Sequence, residues 1–174
     1  MDANQLSIKI GLTLRSSSDQ FIKQGFHLNP KVYRGIDVVD FLAKFNTFEM
    51  AMIDSNYWVE SLDNWKQMID ICWISERDYA KDRFDCDNFS QTFQSWASWY
   101  FDLNTAGRVY GEAYNLDGSK IGYHYWNAIL TKDKNDELHL YMVEPQNKGI
   151  IEYNGEKEFV IQNMRYRPIK VYFG

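Results

Sequence analysis

Apolar and polar residues alternate over the first stretch of the chain, with Leu6, Ile8, Ile10, Leu12 and Leu14 separated by Ser7, Lys9, Gly11 and Thr13. Period two marks a strand with one buried face, although so near the N-terminus a helix also fits. Ser16–Asp19 reads as a loop or N-cap for a short segment carrying Phe21 and Ile22, and Asn29-Pro30 as a turn. The period then lengthens. Ile36, Val39, Leu42, Ala43 and Phe45 predict a helix over 36–48, and Leu62, Trp65, Met68, Ile69 and Cys72 a second over 58–74. The clearest helical signal lies at 86–101, where Phe89, Phe93, Trp96 and Tyr100 fall at i, i+4, i+7 and i+11. That stripe is core material, and Asp85 is its N-cap with Asn88 three residues on.

Beyond Gly107 the pattern returns to strands, at 108–114, 123–131 and 138–144, with a tight turn over 115–119 and a polar loop over 132–136. A hairpin centred on Lys134 sets Leu130 opposite Leu138, Ala128 opposite Leu140, Trp126 opposite Met142 and His124 opposite Glu144. All eight are even-numbered and share one sheet face, so an imidazole sits beside a carboxylate at the end of a buried surface. After Pro145 short strands follow at 150–153, 159–162 and 169–173. The reading is an α+β protein in one domain, 1–174, with a mainly helical part at 1–78 and a helix plus antiparallel sheet at 79–174.

Composition narrows the partners. Apolar residues make up 45% of the 174 and aromatics 17%, which argues for a folded globule. The formal net charge is -5 and no basic run occurs, so neither nucleic acid nor an anionic membrane is an expected partner. The N-terminus lacks a signal-peptide pattern and no stretch reaches the length of a membrane span, so a cytoplasmic protein is expected. The two cysteines, Cys72 and Cys86, allow one disulfide but form no zinc-ligand spacing. Cys72 lies on an apolar helical stripe and reads as a small buried hydrophobe.

Cys86 is different. It opens the aromatic helix within Asp85-Cys86-Asp87-Asn88-Phe89. A helix start favours a thiolate through its free N–H groups and dipole, while the two aspartates oppose it. A nucleophilic thiol also needs a base and an orienting group. His124 supplies the first and Glu144 the second, with Gln146 placed to donate to an oxyanion if the strand continues. Asn127 points to the opposite face and is the weaker candidate. His27 and His139 have no matching partners. The plainer alternatives are a structural His–Glu pair and a structural cysteine.

Residues Asp85–Phe89, His124-Tyr125-Trp126-Asn127 and Glu144-Pro145-Gln146 resemble the papain-like and transglutaminase-like superfamily of cysteine hydrolases. Within it they look most like the cysteine-protease domain attached to fungal lectins of the Marasmius oreades agglutinin type, and like small phage and bacterial proteins with the same Cys–His–Glu order. The likeness covers roughly residues 79 to 150. It implies a papain-like fold and an enzyme: a peptidase or amidase working through a thioester on a protein or peptide substrate. Cys86 would be the nucleophile, His124 the base, Glu144 the orienter and Gln146 oxyanion support. No cofactor is required, but calcium at Asp85, Asp87 and Asn88 is implied, their oxygens being hard donors outside any EF-hand spacing. Two other readings stand beside it. One is transglutaminase-like acyl transfer. The other is a non-catalytic binding or inhibitor protein on the same fold, with a host protein as partner if the chain is of phage origin. A structural subunit is the remaining alternative. Twelve tyrosines and six tryptophans exceed what one core needs, and a surface cluster of them would favour binding.

Overall fold

The computed structural model describes residues 28–174. The alternating stretch at 6–14, the loop at 16–19, the segment with Phe21 and Ile22, and His27 lie outside the described residues. In chain order the elements are β1 (Lys31–Arg34), α1 (Gly35–Leu42), β2 (Glu49–Met52), β3 (Asn56–Ser61), α2 (Leu62–Ile71), a 3₁₀ turn (Trp73–Glu76) and α3 (Cys86–Phe101). Six strands follow: β4 (Ala106–Asn115), β5 (Lys120–Lys132), β6 (Leu138–Glu144), β7 (Gly149–Glu152), β8 (Phe159–Ile161) and β9 (Met164–Phe173).

Among the described residues nine strands form one mixed sheet in the order β1-β3-β5-β4-β9-β2, with β6 and β7 continuing from β5, and β8 from β9. Strands β3 and β5 pair in parallel, as do β2 and β9, and the remaining pairs are antiparallel. This corrects the expected papain-like or transglutaminase-like architecture with a helix-rich first half. Within residues 28–78 two short helices are embedded among three strands that join the sheet.

The misreadings have local causes. The helix expected over 58–74 begins as a strand, because Asn56–Ser61 alternates exposed and buried positions, with Tyr57 and Val59 inward. Ser61 then starts α2 by accepting the Asn64 amide at 3.3 Å. The helix expected over 36–48 stops at Leu42. Beyond it Phe45 and Phe48 pack on Tyr153, with ring centroids 5.4 and 5.7 Å away. Tertiary packing thus overrides the local period.

The centre of the sheet separates two cores. Trp126, Ala128 and Leu130 of β5 join Leu140 and Met142 of β6 and Tyr166, Val171 and Phe173 of β9 on one side. Ile129 and Val143 face the other way, into Phe89, Phe93, Trp96 and Ala97 of α3 and Trp65, Met68 and Ile69 of α2. Cys72 is buried in this second core, and burial pushes its thiol up to about 12. Both cysteines are free thiols.

The β5–β6 register differs from expectation by two residues. Leu130 lies opposite Leu140 and Ala128 opposite Met142, because β5 runs on through Lys132 and the loop centres on Asn135. The shift is even, so every side chain keeps its face. Next to β9, β4 has an irregularity between Tyr110 and Gly111, where Pro168 lies opposite Gly111. A strand proline cannot donate to the ladder, so its place at a bulge is the expected one. Among the described residues no helix is long and apolar enough to cross a membrane.

Candidate thiol site

Cys86 is the first residue of α3. Asp85 and Asn88 cap that helix reciprocally, the Asp85 carboxylate accepting the Asn88 amide and Asn88 Oδ1 accepting the Asp85 amide at 3.2 Å. One turn further, buried Ser90 donates to the Trp126 carbonyl at 2.8 Å. Asn127 returns the tie, its Nδ2 donating to the carbonyls of Ser90 and Gly107, each at 3.0 Å. A helix rises about 6 Å over four residues and a strand about 6.6 Å over two. Stepping back four residues from Ser90 and two from Trp126 therefore arrives at Cys86 and His124 together. Asn127 is thus the clamp that holds helix to sheet.

His124 Nε2 lies 2.7 Å from Glu144 Oε2. Glu144 is buried and fully served: Tyr166 donates its hydroxyl to Oε2 at 3.1 Å, and the Gln146 amide donates to Oε1 at 3.2 Å. A buried carboxylate is tolerated when its oxygens are occupied in this way. Burial and the Glu144 charge push the Tyr166 phenol well above its ordinary value, so it stays a donor. Burial by itself would lower the imidazole pKa. Its interactions with Cys86 and Glu144 outweigh that, and His124 is raised to about 9. With Nε2 engaged by Glu144, Nδ1 is the nitrogen left for the Cys86 thiol.

The structure thus brings Cys86, His124 and Glu144 together. Gln146 arrives differently from expectation: β6 ends at Glu144, and Gln146 sits in the turn that follows, touching Glu144 through its backbone. His139 lies apart, paired with Glu152 at 2.9 Å. Asp85 and Asp87 share a side-chain hydrogen bond that lowers the pKa of the first and raises that of the second. Asp85 Oδ2 also accepts the Asp82 amide at 3.2 Å. Much of the oxygen expected for calcium is therefore spent on the cap, and no group of three histidine, cysteine, aspartate or glutamate ligands forms among the described residues.

Sequence reasoning missed Ser90 and Tyr166. Ser90 carried a readable signal, a hydroxyl one helical turn from Cys86. Tyr166 had none, since nothing local ties a residue on β9 to one on β6.

The arrangement is suited to proton exchange between thiol and imidazole, with the carboxylate fixing the ring. No family model matches the chain, and no curated protein does. Among solved structures it is similar to the PSL1a–E64 complex, with TM-score 0.59, 18% identity, and coverage of 82% of this chain and 51% of that one. It is likewise similar to Polyporus squamosus lectin bound to the human-type influenza-binding epitope Neu5Acα2-6Galβ1-4GlcNAc, with TM-score 0.58, 18% identity, and coverage of 82% and 49%. The chain spans about half the length of these structures. At such identity the likeness speaks to fold.

These findings correct the expectations drawn from the resemblance. The chain shares its fold with PSL1a and with Polyporus squamosus lectin, and the assignment to the papain-like and transglutaminase-like hydrolases is withdrawn. With it go the peptidase or amidase activity, the enzyme designation and the protein or peptide substrate. The ligand in the second structure is a glycan.

Proposed function

We propose that this chain is a glycan-binding module. One observation carries the reading: 82% of the chain aligns with 49% of a lectin chain whose structure holds Neu5Acα2-6Galβ1-4GlcNAc. Since the chain spans about half of that lectin, the test uses this chain alone. Titration calorimetry with the same trisaccharide, up to about 1 mM, is expected to give saturable binding. Absence of heat and of any competing glycan on an array would overturn the reading.

The geometry around Cys86 favours a second reading of the same molecule, in which Cys86 is a nucleophilic thiol, His124 its proton acceptor and donor, and Glu144 the orienter, with Gln146 holding Glu144 in place. The observation behind it is the 2.7 Å His124–Glu144 pair with Cys86 acting on the same ring. The thiol proton would pass to the imidazole as Sγ bonds to carbon, with iodide leaving from iodoacetamide, or with the epoxide C–O bond of E64 breaking and its oxygen taking the proton back from the ring. Iodoacetamide, and separately E64, the compound in the similar PSL1a complex, serve as probes read by intact mass. A single adduct mapped to Cys86 is expected, and labelling no faster than in denaturant would reject the role. Calcium is the cation proposed for Asp85, Asp87 and Asn88, and the same labelling with and without calcium tests it.

A further inference from the structure

The outward face of α3 carries a second feature, remote from Cys86. Trp99 is 83% exposed, on the side of the helix away from the aromatic core stripe. It borders a pocket of about 250 Å³ lined also by Gln94, Ser95, Ser98, Leu103 and Asn104. Ser98 is twelve residues from Cys86, about 18 Å along the helix, so the two sites are separate.

We propose that this pocket seats one neutral pyranose ring, a galactose or N-acetylglucosamine unit, stacked on the Trp99 indole. The proposal rests on the glycan-binding reading and assigns it a place. An indole presents an apolar face and a single N–H, which suits the C–H face of a sugar whose rim is hydroxyls. None of the lining side chains is charged, and those of Gln94, Ser95, Ser98 and Asn104 can hydrogen-bond. Gln94 Nε2 donates to the Gly174 carbonyl at 3.0 Å, which leaves its second N–H and its oxygen to a ligand. Both Asn104 amide hydrogens are engaged: Nδ2 donates to Asp54 Oδ2 at 2.8 Å and the Asn56 carbonyl at 2.9 Å, while Oδ1 accepts the Trp58 amide at 3.0 Å. It forms a fixed wall and contacts the ring by shape.

Charge decides between sugars. No lysine, arginine or histidine lines the pocket, and the Asp54 carboxylate stands behind Asn104. A sialic acid carboxylate would meet a like charge and no cation, which disfavours it. The volume lies just under the roughly 300–1,000 Å³ of sites for drug-sized ligands, in keeping with one ring.

The test is titration of the full chain, followed by tryptophan fluorescence and calorimetry, with methyl β-galactoside, N-acetylglucosamine, free Neu5Ac and the trisaccharide. Binding of a neutral sugar that weakens about tenfold or more in Trp99→Ala, with Neu5Ac not bound and thermal unfolding unchanged, is the expected result. Ser98→Ala should weaken the same sugar. Glycan binding that persists unchanged in Trp99→Ala, or a preference for Neu5Ac, would overturn the location while leaving the glycan reading intact. Absence of binding by every sugar, the trisaccharide included, would overturn both.

Discussion

His124 and Glu144 are diagonal neighbours, and their side chains still meet at 2.7 Å. The β5–β6 register sets Asn127 opposite Val143, so Glu144 lies two residues along from the position facing His124. Diagonal pairs sit about 7–8 Å apart at the backbone, within reach of an imidazole and a glutamate leaning toward each other. Tyr166, reaching from β9 to Glu144 Oε2, holds the carboxylate in that lean.

Glu144→Gln removes one of the two groups that raise the imidazole. The His124 pKa is expected to fall from about 9 toward or below its ordinary 6.5, because burial then dominates. NMR titration of the ring protons reads the shift. A value still near 9 would mean that Glu144 is not the group holding the proton.

Stability should depend on pH through the same ring. Folding raises the His124 pKa from 6.5 to about 9, so its contribution is present in full below about pH 6.5 and is lost as pH rises through 9. The size is of order 3 kcal/mol at most. Urea unfolding at pH 6, 7.5 and 9.5 should show the decline, and His124→Gln should flatten it. A decline of the same size in the variant would assign it to another group.

Asn127→Ala cuts both donations that clamp α3 to the sheet and leaves two buried carbonyls short of a partner. A loss of about 1–3 kcal/mol per unsatisfied group is expected. Because the clamp lies one turn from Cys86, alkylation of Cys86 by iodoacetamide should slow as well. Lost stability with an unchanged alkylation rate would show that the thiol is positioned by the helix cap alone.

The two cysteines should part under iodoacetamide. Cys72 is 3% exposed with its thiol pushed up to about 12, while Cys86 is half-buried at a helix start. Peptide mapping in native buffer at pH 7.5 is expected to find the label on Cys86 and none on Cys72, and His124→Ala should slow the Cys86 reaction. Equal labelling of both would place Cys72 within reach of solvent.

Gly111 lies where a Cβ would collide with the Arg167 carbonyl and the Trp126 ring. Gly111→Ala should therefore destabilise by about 1–3 kcal/mol through overpacking. It should also disturb His124, which is opposite Gly111 on β5. A thermal scan and the His124 titration together check both effects.

Much of the local structure was legible in the sequence. The Phe89–Phe93–Trp96–Tyr100 spacing defines α3 at the bounds observed, and the runs at 123–131 and 138–144 fall within β5 and on β6. Cys86, His124 and Glu144 could also be picked out, since a helix start and one sheet face are properties of spacing alone. The two-residue slip in register did no harm, because an even shift preserves the face.

What the sequence did not carry is whatever depends on distant segments meeting. Residues 58–61 read as helix until β3 finds β5. Phe45 and Phe48 read as helical until Tyr153 draws them away. Tyr166 becomes part of the site only when β9 docks on β4, and Gln146 leaves its expected face because the strand ends at Glu144. Chain periodicity is set by bond geometry within a few residues, and so it is written locally. Strand order, the parallel pairs and the partners of a buried carboxylate are chosen by long-range burial and hydrogen bonding, which no short window contains.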